Sequence, residues 1–275
     1  STGEVGKARL AAMGFADPEQ ARGELLRLCH GEAEHPHSLH VSQQFYAFAP
    51  DLIADLVRTT RPDDNLRRLA LVFSNLSAPG TVYEILRLQP DLCDLLVRLV
   101  ANSEFLAEIL IREPGLFDTL GFSAALARPS RREDLERELE DLARAYDAQA
   151  APYRLRDGEL LRIGLRELLL DVDVVQVGHE LSLLAEVVLQ YAVRQAEAAV
   201  VSRYGRAEAA FGVLSLGKLG GREMGYGSDL DLVFVYDGDG GVPEGVSHVE
   251  YFAAWASGVI RALKETTRYG RLYDI

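Results

Sequence analysis

The sequence predicts a mainly α-helical chain with a small α/β part at its C-terminal end, and three observations carry that prediction. Apolar residues recur at three- and four-residue spacing, punctuated by prolines, from the N-terminus to about residue 205. Beyond that point, two short runs rich in Val, Leu and Phe have the character of strands. A glycine-rich turn separates them, and a helical pattern follows the second. The expected division is a helical region over residues 1–205 and a mixed α/β core over 206–275.

The first strong helix start is Asp17-Pro18-Glu19-Gln20: an N-cap, a proline at the first helical position and a glutamine placed to close a capping box. Gly31 ends that helix. Asp51 to Val57 continues an amphipathic run that stops at Arg61-Pro62, and Pro79, Pro90 and Pro114 mark further boundaries. Ile85 to Leu96 parallels Ile109 to Leu120 at a fixed offset. Two copies are too few for a solenoid, so these are expected to be two similar helix–proline–helix corners of an ordinary bundle. Leu135, Leu139, Leu142 and Tyr146 form a heptad-like stripe on a helix crowded with Glu and Arg. Asp173 to Tyr204 reads as a long helix with Leu181, Leu184, Val188 and Tyr191 on one face. Both stripes suit intramolecular packing, with the charged faces solvated.

Ala210 to Leu216 and Leu230 to Tyr236 are expected as buried strands. Gly238 to Pro243 is a loop, and Ser247-His248-Val249-Glu250 offers a capping-box start to a helix reaching about Thr266. On that helix Tyr251, Phe252, Trp255, Val259 and Leu263 share a face expected to pack on the sheet. Gly270 to Ile275 is expected to begin a third strand.

Composition narrows the function. The 275 residues carry 29 basic and 42 acidic side chains, a formal charge of −13, with no long basic stretch. A protein that grips a nucleic-acid backbone must neutralise phosphates with Lys and Arg, so this balance argues for a protein or small-molecule acceptor. Cys29 and Cys93 are isolated, with no C-x-x-C, which argues against a disulfide framework or a zinc site. His30, His35, His37 and His40 fit no metal spacing and read as a solvated linker. No apolar run approaches the ~18–20 residues of a membrane span, and a cytoplasmic protein fits all of this.

Chemistry concentrates between Phe211 and Tyr236. Along a strand, residues i and i+2 point to the same face, so Asp229 and Asp231 aim both carboxylates at one point while Leu230 and Leu232 face the core. Two acids forced together repel unless a cation sits between them, and hard oxygen donors suit Mg²⁺ or Mn²⁺. The glycine turn upstream, with Gly217, Gly220 and Gly221, lets a phosphate approach backbone N–H groups. Lys218 is placed either to contact phosphate or to lie in solvent, and no P-loop is present because Leu219 follows it. Ser228 either donates to phosphate or closes the turn.

A hydrophobic strand ending in Gly217-Lys218, followed twelve residues on by Asp229-Leu230-Asp231, resembles the signature of the DNA polymerase β-like nucleotidyltransferases. The longer string from Gly217 to Leu232 is similar to one family among them, glutamine synthetase adenylyltransferase. Its members carry an N-terminal half that removes AMP from glutamine synthetase and a C-terminal half that adds it. The proline-punctuated helices beginning near Met13-Gly14-Phe15 and the run Leu160 to Leu168 resemble the region upstream of the adding half. Arg222 to Ser228 and the Leu272-Tyr273 pair resemble the adding half itself.

The resemblance implies a partial nucleotidyltransferase core over 206–275, with 1–205 docking or regulating. It implies ATP as substrate and a tyrosine of glutamine synthetase as acceptor, with a nitrogen-signalling regulatory protein as further partner. Asp229 and Asp231 would be the catalytic acids and the Mg²⁺ or Mn²⁺ ligands. Gly217, Lys218, Gly220, Gly221 and Ser228 would bind nucleotide. A third carboxylate is implied one residue beyond Ile275, three after a tyrosine at a position like Tyr273, so residues 1–275 alone are expected to transfer no AMP. The AMP-removing half and a non-catalytic docking module are the two other readings.

Overall fold

The computed structural model describes residues 2–117 and 128–275. They fall into two compact units, Ser1–Ala125 and Leu126–Ile275.

In the first unit the described residues form α1 (Thr2–Met13), α2 (Pro18–His30), α3 (Leu39–Leu56), α4 (Pro62–Ser74), α5 (Pro79–Leu88), α6 (Pro90–Asn102) and α7 (Glu104–Arg112), then a 3₁₀ turn at Pro114–Leu116. Pro18, Pro62, Pro79 and Pro90 each open a helix, where the absent N–H leaves no bond unmade and the fixed φ suits the first turn. The Asp17 carboxylate accepts the Gln20 N–H at 3.0 Å, as the capping pattern predicted. Ser38 and Ser103 cap α3 and α7 in the same way.

The centre of this unit is aromatic. Phe45, Phe48 and Phe73 surround the Tyr83 ring at centroid distances of 5.4, 5.3 and 5.6 Å, and the Tyr83 hydroxyl donates to the Leu28 carbonyl at 3.0 Å. The corners at Gln89-Pro90 and Glu113-Pro114 bury Leu86, Leu92 and Leu96, and Ile109 and Leu110, inside the unit. Asp118 and Leu120 of the second corner lie outside the described residues. Of the four histidines expected on a solvated linker, only His35 and His37 lie between the helices; His30 ends α2 and His40 is in the first turn of α3. Gly31 bridges to Pro36 across a tight turn, and His37 sits 3.3 Å from the Cys29 carbonyl.

The second unit holds α8 (Arg132–Ala145), α9 (Ala151–Leu170), α10 (Val174–Tyr204), β1 (Phe211–Ser215), the single turn α11 (Gly217–Gly220), β2 (Leu232–Tyr236) and α12 (His248–Lys264). The α10 face of Leu181, Leu184, Val188 and Tyr191 is buried, as expected. On α8 only Leu135 and Leu139 of the stripe are buried; Tyr146 is exposed, with the Arg154 guanidinium 4.1 Å from its ring centroid. Residue 205 marks where strand-forming sequence begins, yet packing groups α10 with the strands. The helix α12 lies along α10, where the Trp255 indole donates to Val193 O and the Tyr251 hydroxyl to Gly205 O, each at 3.0 Å.

The sheet has two antiparallel strands, paired from Phe211 with Tyr236 to Ser215 with Leu232. Two expectations change here. The strands are covered by α12 on one face only, and none of their residues is fully buried. Phe211 stacks with Phe252 and Trp255 of α12, Tyr236 with Phe252, and Phe234 on Phe211, whereas Leu214, Val233 and Val235 on the other face are exposed, as is Tyr236 at the strand end. One helix can cover only one side of a sheet. The segment from Gly270 to Ile275 does not form a strand. Arg271 and Leu272 turn their carbonyls toward Arg156 of α9, which leaves a single bond to the sheet side, from the Leu230 N–H to the Asp274 carbonyl at 2.8 Å.

Candidate active site

Asp229, Leu230 and Asp231 run extended into β2, and their alternation is the one the sequence predicted. Leu230 is 1% exposed, while the two aspartates flanking it are exposed on the opposite side. The ladder continues through them, since the Leu216 N–H donates to the Asp231 carbonyl at 2.8 Å. Both carboxylates therefore stand on the open face of the sheet, beside Leu214 and Leu216.

Gly217 explains how the turn and the acids come together. Its φ is +51°, a region that favours glycine, and a Cβ at this position would overlap the Asp231 carboxylate oxygen. The carboxylate thus lies directly over bare backbone. The turn closes through Gly220 N–H to Leu216 O at 2.9 Å and Gly221 N–H to Gly217 O at 3.0 Å. Lys218 and Gly220 are exposed on it, with Leu219 buried beneath. Ser228 closes the turn that leads into the acids: its hydroxyl accepts the Gly225 N–H at 2.9 Å, and its own N–H returns to Gly225 O at 3.1 Å.

Helices α9 and α10 hold this loop in place, and sequence reasoning did not pick out the residues that do so. Gly178 of α10 lets residues 222–223 pack against the helix, where a Cβ would come 3.3 Å from Glu223 Cα. One turn on, the Ser182 hydroxyl accepts the Met224 N–H at 3.4 Å, and Glu186 pairs with Arg222 at 3.5 Å. The spacing of Gly178, Ser182 and Glu186 at i, i+4, i+8 puts all three on one line of the helix, a signal available in the sequence. From α9, Glu167 accepts the Tyr226 hydroxyl at 2.7 Å. Burial first, and then that hydrogen bond, pushes the Tyr226 phenol well above its ordinary range, so it keeps its proton and donates.

Beneath the loop lies a buried ionic cluster. Arg162 reaches Glu159 at 2.8 and 2.9 Å and Glu180 at 2.7 Å, and Arg166 reaches Glu180 at 3.3 Å. Burial, and next the charge of Glu159, raises the Glu138 carboxyl from its ordinary value. A separate cavity of about 760 Å³ opens between α9, α10 and the face of α12 that points away from the sheet, lined by Tyr153, Tyr191, Ala196 and Gly258 among others. It does not include Asp229 or Asp231.

Among the described residues, no group of three or more His, Cys, Asp or Glu is placed to hold a metal ion, and no helix is long and apolar enough to cross a membrane. Two exposed carboxylates on one side of the strand, that of Asp231 over a bare glycine, are a fitting donor set for a hard divalent cation. Mg²⁺ is commonly held by one or two carboxylates, with waters and substrate phosphates completing its shell.

The family model for glutamate-ammonia ligase adenylyltransferase matches residues 93–275. Along all of its length the chain is 30% identical to the bifunctional glutamine synthetase adenylyltransferase/adenylyl-removing enzyme of Thioalkalivibrio sulfidiphilus, of which it covers 30%. The protein of the same name from Methylococcus capsulatus is 33% identical across 82% of the chain and 26% of its own length. The one from Pseudomonas aeruginosa is 31% identical across 99% and 30% respectively. The chain thus spans about 30% of the length of these curated relatives.

Proposed function

The chain belongs to the glutamate-ammonia ligase adenylyltransferase family, and we propose that it carries the start of an adenylylating site, which transfers AMP from ATP to a tyrosine of glutamine synthetase. In that reaction the tyrosine hydroxyl attacks the α-phosphorus, a phosphodiester forms, and pyrophosphate leaves. The observation that carries the reading is the placement of Asp231 over the bare backbone of Gly217, with Asp229 on the same side of the strand. Acid pair and glycine turn are thereby one continuous surface.

The roles follow from the geometry. Asp229 and Asp231 would hold Mg²⁺ or Mn²⁺, which when bound supplies charge neutralisation at the phosphates and lowers the pKa of a coordinated hydroxyl. The bare backbone at Gly217 would receive phosphate oxygens, with Gly220 and Gly221, whose N–H groups close the turn, letting a nucleotide approach it and Lys218 as a point charge at the entrance. Ser228 keeps the acids in register by closing the turn at Gly225. Residues 206–275 would then belong to a nucleotidyltransferase core, and the helices of 1–205 would give the folded acceptor and a nitrogen-signalling regulator surface to dock on. The adding direction is favoured over removal by the run Arg222 to Ser228 and by Leu272-Tyr273, which resemble the adding half.

The test incubates the whole natural polypeptide with glutamine synthetase and labelled ATP, with phosphorolysis of adenylylated enzyme run in parallel. Transfer is expected, and Asp231→Asn should reduce it by roughly 10³-fold while leaving the fold intact. Phosphate-dependent removal without addition would reverse the direction. Near-normal transfer by the Asp231→Asn protein would sink the site.

A further inference from the structure

We propose that the buried pair Arg156–Asp157 is a positioning device for the acids: it fixes segment 271–274 so that Asp274 braces Leu230, the residue between Asp229 and Asp231. The inference rests on the transfer-site reading and adds to it two residues that touch neither substrate nor acids.

Arg156 is 7% exposed and Asp157 2%. All three guanidinium nitrogens are used. Its Nε and one terminal nitrogen donate to Asp157 Oδ1 at 2.8 and 2.6 Å, and the other terminal nitrogen donates to the carbonyls of Arg271 and Leu272, the latter at 3.0 Å. The same helix end fastens the chain just upstream, where the Tyr153 hydroxyl donates to Glu265 O at 3.4 Å and its ring packs 5.6 Å from that of Tyr269. With two successive carbonyls drawn to α9, the Tyr273 N–H turns back to Leu263 O at 3.1 Å, and the Asp274 carbonyl meets the Leu230 N–H at 2.8 Å.

Stability alone does not account for such a pair. Burying two charges is expensive, and apolar side chains of similar volume hold helices and loops together equally well or better. What a planar arginine fork adds is direction: it pins two backbone carbonyls in one orientation, which an apolar contact cannot do and a lysine does poorly. The direction is then passed on through one hydrogen bond to Leu230. Because Leu230 is buried with an acid on either side, a shift of its backbone moves both carboxylates together.

Three variants of the whole natural polypeptide test this: Arg156→Lys, Arg156→Met and the double replacement Arg156→Met/Asp157→Leu. Measured for each are kcat and KM for ATP, the melting temperature, and amide exchange at Leu230 with no divalent metal added. Arg156→Lys should lower kcat by roughly 10–100-fold with KM for ATP within about 2-fold. Leu230 exchange should rise at least about 10-fold, since its acceptor is no longer held. The double replacement should melt above Arg156→Met, which leaves Asp157 buried without its arginine, and still show the low kcat, and that separates positioning from support of the fold. Wild-type kcat in the double replacement, or an unchanged Leu230 amide in all three variants, would overturn the proposal. A wild-type protein that neither adds nor removes AMP would defeat the transfer-site reading instead, and Leu230 exchange would then decide the clamp by itself.

Discussion

The two units bury different things. Among the described residues of Ser1–Ala125, the buried polar side chains are Glu24, Ser42 and Asn65, and the rest of that core is aliphatic and aromatic apart from Cys29 and Cys93. In Leu126–Ile275 a single helix, α9, buries Arg156, Asp157, Glu159, Arg162 and Arg166, and Glu180 joins them from α10. Apolar contact has no direction, so a core like the first accepts many side chains of suitable volume. Ions and hydrogen bonds have both direction and partners, so a core like the second accepts few. The directional core underlies the loop and the acids; the permissive one supports helices alone.

The sharpest way to break this contrast is to remove one ion. Arg162→Met leaves Glu159 without its partner and Glu180 with only Arg166, and should destabilise the second unit by about 3 kcal/mol, read by denaturant unfolding. Replacing Arg162 and Glu159 together by apolar residues, which leaves Glu180 paired with Arg166, should recover most of that loss. A harmless single replacement would show that the cluster is not energetically coupled. In the first unit Phe48→Ala should cost about 3 kcal/mol through the cavity it leaves, but Phe48→Leu only about 1 kcal/mol. If Phe48→Leu proves as damaging as Arg162→Met, the permissive character of that core is refuted.

A smaller stability effect with a large functional one is expected at Gly217. Alanine there must adopt a positive φ and displace the Asp231 carboxylate, costing about 1–2 kcal/mol of stability and about 10²-fold in transfer. Loss of stability without loss of transfer would detach the turn from the acids. The smallest effect concerns Cys93 in the first unit. Burial, followed by the charge of Asp55, pushes its thiol up to about 12, so it should resist alkylation in the native protein at around pH 8 and react only on unfolding. Rapid labelling of the native chain, followed by mass spectrometry, would show that this core opens readily.

How far the sequence disclosed all this follows the range of each interaction. Asp17 with Gln20, Ser247 with Glu250 and the Asp229-Leu230-Asp231 alternation are contained within a few residues, and each formed as its local pattern implied. The outer face of the sheet was misjudged, because Val- and Leu-rich strands look alike whether one side or both are covered. The last segment failed to become a strand because its carbonyls answer to Arg156, more than a hundred positions earlier. Charged residues on α9 that would ordinarily be assigned to solvent turn inward for the same reason. Besides the pairs within α9, Arg162 and Arg166 reach Glu180 of α10 and Arg156 reaches the last segment, and no periodicity within one helix encodes a partner on another.

Trp255 is the one tryptophan of the chain, and its position makes it an optical probe supplied by nature. Its ring stacks 4.3 Å from Phe211 at the foot of β1, and its N–H is tied to α10 at Val193. Intrinsic tryptophan fluorescence therefore arises wholly from the junction of strand, α10 and α12, and Ser1–Ala125 contributes none of it. Following that emission beside total helical circular dichroism gives two signals from one unlabelled sample. Should the helical unit melt before the unit bearing the acids, ellipticity will fall while the indole spectrum stays fixed; should they melt together, the curves will superimpose.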